Sequence, residues 1–249
     1  MSKVVNEFYK GKGTGYLRRR SGTDGLIPIG NASEISLAIS LSTSDMLDYE
    51  NAGGGKADSI SSIESMTATI TLTNLNPTNI ARLTAGTASE QAGSTITAES
   101  HTVGVHGSFV KFDHVPDMDQ TVTVTDTGAS TTYTEGDDYE LKNGGILILE
   151  GNIAEGSDIE VNYTSGDYRT VEMLMEVGEE YEFYFDGLNE ARSGKPHLGT
   201  FHRVKLNPTT GLPLISNDYA TAQFSVEILR DDTVSGSERS KYAKIEMAA

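Results

Sequence analysis

The chain has no cysteine, and its 19 Lys and Arg residues are outnumbered by 36 Asp and Glu residues. Without cysteine there are no disulfides, thiolate metal ligands or cysteine nucleophiles. No run of residues approaches the ~18 to 20 apolar positions of a membrane-spanning helix, so no membrane insertion by this chain is expected. A formal charge of −17 disfavours tight non-specific binding to nucleic acid, because that affinity comes from cations that neutralise phosphates. What remains is a chain of 249 residues with 37% hydrophobic content, enough for one large β domain or two small ones.

Two stretches alternate between apolar residues and small polar ones. In 33–41, Ile35, Leu37, Ile39 and Leu41 share one face, with Glu34, Ser36 and Ser40 on the other. In 66–73, Ala68, Ile70 and Leu72 oppose Thr67, Thr69, Thr71 and Thr73. Alternation returns in Tyr181, Phe183 and Phe185, in Val204 and Leu206, and in Ala222 to Ile228, where Gln223, Ser225 and Glu227 form the polar side. A solvated strand face usually carries long charged side chains. A face of short hydroxyls instead suits a smooth, wet wall along which something passes.

One helix is expected: Asn76 can cap it, Pro77 suits its first position, Ile80 and Leu83 share a face, and Gly86 stops it. Asp24-Gly25, Asn143-Gly144 and Asp186-Gly187 read as tight turns. The stretch 42–65, with Gly53, Gly54 and Gly55, reads as a long polar loop, functional or disordered. Between 101 and 166 short strands follow in quick succession, and twelve acidic residues face two lysines, so 10 of the 17 excess negative charges lie there. This stretch reads as an inserted module.

Motifs of chemistry are weak. Gly11-Lys12-Gly13-Thr14-Gly15 lacks the spacing of a dinucleotide site and reads as a hairpin turn, and Gly55-Lys56 is followed by Ala57 where a phosphate loop needs a hydroxyl. The five histidines show no metal-binding spacing, and no nucleophile elbow occurs. The acidic stretches 113–119 and 137–138 follow no calcium-loop order and read as solvated charge. Arg18, Arg19 and Arg20 read as surface or intersubunit ion-pair partners. No catalytic, cofactor-binding or metal-binding residue is assigned, and the chain reads as a non-enzyme. A hydrolase using Asp113 with His114 is the weaker enzymatic reading, and a soluble, monomeric all-β binding or adhesion module is the plainer one.

The order of elements resembles the tail tube proteins, the major tail proteins of long-tailed bacteriophages. The resemblance rests on Ile29-Gly30-Asn31 leading into 34–41, the polar stretch through Asp58, strand 66–73, and the capped segment 76–86. It continues in 181–189, 202–208, 214–218 and 224–231 with Ser240-Lys241-Tyr242, covering about two thirds of the chain. It implies a mainly β fold, a tail-tube-type β-sandwich or partial barrel with one short α-helix and a small inserted β module. The tube-forming domain would comprise 1–100 and 167–249, and the peripheral module 101–166. It further implies stacked hexameric rings in the virion tail, assembled in host cytoplasm. Tape-measure, terminator and distal tail proteins would be partners, and DNA would pass without tight binding. A contractile-injection or type VI-like tube is the related alternative. Glu34, Ser36, Ser40, Thr67, Thr69, Thr71, Thr73, Gln223, Ser225 and Glu227 become candidates for the lumen. Asp48, Tyr49, Glu50, Asn51, Lys56 and Asp58 become candidates for a loop that reaches the adjacent ring or subunit, and deletion of 48–58 is expected to leave monomers folded but stop polymerisation.

Overall fold

The computed structural model describes residues 7–248, so the first six residues of the expected tube-forming domain lie outside it. The chain is mainly β, with one short α-helix and several antiparallel sheets, and divides into two compact units, 1–88 with 171–249, and 89–170. The second unit is wider than the 101–166 read from charge. Its first strand opens at Thr95 in a segment of Ser, Thr and Ala that carries little charge to mark it.

In the first unit, β1 (Gly11–Arg19), β2 (Ile27–Pro28), β3 (Ala32–Leu47) and β4 (Lys56–Leu72) precede helix α1 (Pro77–Leu83). The chain leaves this unit through β5 (Thr87–Gln91) and re-enters through β12 (Tyr168–Glu172), which pair with each other. It then forms β13 (Glu180–Asn189), β14 (Lys195–Leu206), β15 (Ala222–Ile228) and β16 (Ala243–Met247). The eight-stranded sheet has the order β2-β1-β13-β14-β15-β4-β3, with β16 also on β14. Its apolar face buries Leu17, Ile70, Phe183, Val204, Phe224 and Val226 against Leu83 of α1. Asn76 caps α1 by accepting from the Asn79 N–H at 2.9 Å, and the buried Asn79 side chain donates to the carbonyls of Ile29 and Asn74, each at 2.8 Å.

Three expectations fail for identifiable reasons. Gly11 to Gly15 form the first half of β1 and not a turn. Gly13 lies opposite Gly187 of β13, and a Cβ on Gly13 would stand 2.6 Å from the Gly187 Cα. Asp186-Gly187 likewise lies inside β13, where the missing side chain makes room for the Phe185 ring. The stretch 42–65 is no loop: β3 and β4 stay paired from Ala32–Leu72 out to Leu47–Lys56. Its serines and threonines do not pack a core, yet they pair across strands, as Thr43 Oγ1 does with Ser61 Oγ at 3.4 Å and Ser59 Oγ with Asp45 Oδ1 at 2.7 Å. The pairing register shifts where Ser40 opposes Ser65 and Leu41 opposes Ile63, so Glu64 is the extra residue of a β-bulge.

The second unit contains β6 (Thr95–Thr102), β7 (Phe109–Lys111), β8 (Thr123–Asp126), β9 (Tyr139–Lys142), β10 (Gly145–Ile148) and β11 (Asp158–Thr164). They form two three-stranded sheets, β7-β10-β9 and β6-β11-β8. Alternate residues of both, among them Val110, Ile146, Ile148, Val124, Ile159 and Val161, share one core. Asn143-Gly144 makes the turn between β9 and β10, as expected.

Candidate assembly surface

The hydroxyl-bearing residues gather in rows across three neighbouring strands. Pairing aligns Ser36 of β3 with Thr69 of β4 and Ser225 of β15. The adjacent rows are Glu34, Thr71 and Gln223 on one side, and Ala38, Thr67 and Glu227 on the other. All lie on the face opposite the core residues Ala68, Ile70, Phe224 and Val226, because successive side chains in a strand alternate. Ser40, opposite Ser65, extends this face beyond the sheet body. Thr73 does not join it: it follows the last residue of β4, and its N–H and Oγ1 both donate to the Asn31 carbonyl at 3.0 Å, closing the base of the hairpin.

Lys205 of β14 and Asn207, just beyond its end, add to this surface, and local patterning places neither of them here. Lys205 pairs with Glu227 and, on its other side, with Glu180, while Asn207 Nδ2 donates to Ser225 Oγ at 3.2 Å. The rows themselves hold no cation. Lys205 stands at their margin between two carboxylates.

The second feature is an arm. β15 accompanies β4 only over Thr67–Leu72, and β3 is the terminal strand of its sheet. From Met66 to Lys56 the hairpin is therefore a two-stranded ribbon with no further strand on either edge among the described residues. The nine residues of β3 from Ile39 to Leu47 give it a reach of about 30 Å at ~3.4 Å per residue. The apolar alternation of the core continues along it into solvent: Ile39 is 64% exposed, Leu41 60% and Ile63 56%. Near the tip Met46, Ile60 and Tyr49 are exposed as well. A lone two-stranded hairpin is marginal in water, and an open edge bearing apolar residues is a template for another chain.

Asp48 shapes the tip. Its carboxylate accepts from the N–H groups of Glu50 and Asn51 and from Asn51 Nδ2, at 2.9, 3.2 and 2.7 Å, and these bonds, Asn51 Nδ2 foremost, hold its pKa below the usual carboxylate value. Gly53, Gly54 and Gly55 all take positive φ, which explains the glycine run. Of the residues expected in a reaching loop, Asp48, Tyr49, Glu50 and Asn51 lie at this tip. Lys56 and Asp58 lie within β4, with Lys56 Nζ 2.5 Å from Asp45.

The basic run is consumed within its own unit: Arg18 pairs with Glu182, Arg19 with Glu176, and Arg20 with the buried Asp231 at 2.8 Å. In the second unit, Asp113 and His114 make no couple. The Asp113 N–H donates to Glu99, and His114 Nδ1 lies 3.0 Å from Tyr168 Oη. Asp138, expected to be solvated, is 2% exposed and accepts from the N–H groups of Thr134 and Asn152 at 2.8 and 2.7 Å, so it ties loops together. No cluster of three metal-ligating side chains occurs among the described residues.

Glu99 is the polar centre of that unit, its side chain 8% exposed. Burial would raise its pKa, but Tyr163 Oη at 2.6 Å, the Asp113 N–H at 2.9 Å and His101 Nε2 at 2.6 Å together hold it below the ordinary value. A carboxylate lowered in this way stabilises the fold fully above its unfolded pKa of about 4.3 and loses that contribution as pH falls through the folded value. Glu99→Gln is expected to cost unit 89–170 about 1 to 3 kcal/mol at neutral pH and to flatten its stability below pH ~4. Denaturation followed across pH checks both; a variant that keeps the wild-type acid dependence contradicts the assignment.

A family model described as "Protein of unknown function UCP028589" matches residues 8–246. A comparison with curated proteins finds no match.

Proposed function

We propose, for a chain that belongs to the UCP028589 family, a structural role as a self-assembling tube protein: copies close into rings, six to a ring by the resemblance to phage tail tube proteins, and rings stack into a conduit for genome DNA. The observation that carries this reading is the joint presence of two features on one sheet. A broad hydroxyl face, free of cations in its rows, continues into an arm whose apolar side and both edges lack a partner among the described residues.

Each feature supplies what the other needs. The arm brings apolar area and unpaired backbone donors and acceptors, which a neighbouring copy can cover by extending the sheet. Closing the sheet through copies would leave the opposite face, with Ser36, Thr69 and Ser225, around an aqueous bore. Hydroxyls with occasional carboxylates, Glu34 and Glu227, offer duplex DNA no cationic foothold, so binding stays weak and the duplex slides. In this reading the protein is part of the virion tail, without enzymatic activity or cofactor. Tape-measure, terminator and distal tail proteins would be its partners at the tube ends.

The absence of cysteine makes a direct test possible. In Ser36→Cys, a small maleimide and a bulky polymer-linked maleimide are expected to react alike with monomers. In rods the small reagent is expected to react still, while the bulky one slows at least tenfold. Equal slowing of both would place Ser36 in a dry contact, and no slowing of either would leave it on an outer surface. Either result overturns the bore assignment. A chain that stays monomeric at every concentration would favour the binding-module reading.

A further inference from the structure

A cleft of about 320 Å³ in the first unit lies between α1, β1 and the segment before β13, lined in part by Arg19, Thr78, Arg82, Glu176 and Tyr181. Two of its walls carry guanidinium groups of different standing. Arg19 is satisfied by Glu176. Arg82, in the last turn of α1, is half-buried and makes one hydrogen bond, Nη1 to Asn79 Oδ1 at 3.2 Å. It has no carboxylate within ion-pair distance among the described residues, whereas every other described arginine, Arg239 excepted, pairs with one. Burial lowers its pKa, the Tyr181 hydroxyl opposes that, and the nearby Arg19 charge adds to it.

A guanidinium carries five N–H donors and always keeps its charge, so withdrawing it from water without an acceptor is costly. No unpaired nitrogen of Arg82 is sealed inside the protein. Its free donors are therefore within reach of an incoming group, and the fork geometry of guanidinium matches a carboxylate with two parallel bonds.

We propose that this cleft receives a carboxylate side chain from a second copy of the chain, completing an ion pair on Arg82. The inference rests on the self-assembly reading and names a contact within it. Charge supports a copy as the source. The hairpin from Ala32 to Leu72 exposes Glu50 and Glu64, neither of them ion-paired among the described residues, and bears a single cation, Lys56, already held by Asp45. In a chain with 36 acidic residues, a half-buried arginine without a carboxylate stands out as a receptor.

The test compares wild type, Arg82→Gln and Arg82→Lys by the concentration at which rods appear in light scattering and negative stain, with thermal unfolding of the monomers alongside. Arg82→Gln is expected to raise that concentration about tenfold to a hundredfold, as for loss of a charge-assisted pair, and Arg82→Lys by less, with monomer melting unchanged. Rods of Arg82→Gln at the wild-type concentration would overturn the proposal while leaving self-assembly intact. If wild type forms no rods, the assembly reading fails, and acetate and inorganic phosphate are titrated into the monomers. Stabilisation of wild type and not of Arg82→Gln would make this a site for free anions, and no stabilisation would make it no anion site. Both results overturn the second-copy source.

Discussion

Replacing Ile39 and Ile63 together by lysine is expected to leave a folded monomer and to abolish rods. Both side chains are more than half exposed in the isolated chain, at 64% and 56%, so the substitution removes almost no intramolecular packing. Surface changes of that kind usually alter stability by no more than about 0.5 kcal/mol. In an assembly that covers the arm, each isoleucine would contribute about 1.5 to 3 kcal/mol of burial per copy, and each lysine would add the cost of an unpaired charge. Two such losses per contact correspond to at least a hundredfold rise in the concentration needed to polymerise. Size exclusion with light scattering and negative stain read the assembly, and circular dichroism reads the fold. Rods of normal length from this variant would exclude the apolar side of the arm as a contact. Rods lost together with the monomer's strand signal would show that the arm matters to folding instead.

Phe183→Ala has the largest expected effect on stability, about 3 to 5 kcal/mol. The ring is fully buried at the centre of the first unit's core, 5.4 Å from the Phe201 ring, and lies over Gly15, whose absent side chain leaves it room. Alanine there leaves a cavity that neighbouring strands cannot close without breaking the β1-β13-β14 pairing. The second unit has its own core around Ile146 and Ile159. Calorimetry is therefore expected to show the transition of the first unit moving down while that of 89–170 stays. A single endotherm shifted as a whole would show instead that the two units unfold together.

Much of the fold is legible in the chain because alternation at period two is a local property. Ile35 to Leu41, Ala68 to Leu72 and Ala222 to Ile228 declare their core sides without reference to anything distant, and Asn76-Pro77 announces the helix by the same kind of short-range rule. The hydroxyl rows are legible for that reason, although their alignment is not. Which strand lies beside β4 is decided by long-range pairing, so the adjacency of Glu227 to Lys205 has no local signature. The outer arm is concealed for a different cause. Its serines resemble loop residues, and the three glycines, which serve only the tip, colour the whole stretch. Asp186-Gly187 misleads in the same manner, since a glycine that admits a neighbouring ring looks the same in sequence as one that reverses the chain.

The additional residue at Glu64 has a consequence for how this protein can vary. Up to Met66 the oily positions of β4 fall on even numbers, and beyond the irregularity Ile63 falls on an odd one yet still faces the same way as Ile39 and Leu41. The bulge thus absorbs Glu64 and keeps base and tip in phase. Removing that one residue would join Ser65 directly to Ile63, which plain alternation then places opposite Leu41 on the side it already occupies, whereas regular pairing that kept Glu64 would set it opposite Leu41 and turn the outer ribbon inside out. Changes in length are therefore tolerated at the three glycines and, by loss of the single bulged residue, at Glu64, and a family alignment would show gaps clustering at those two places.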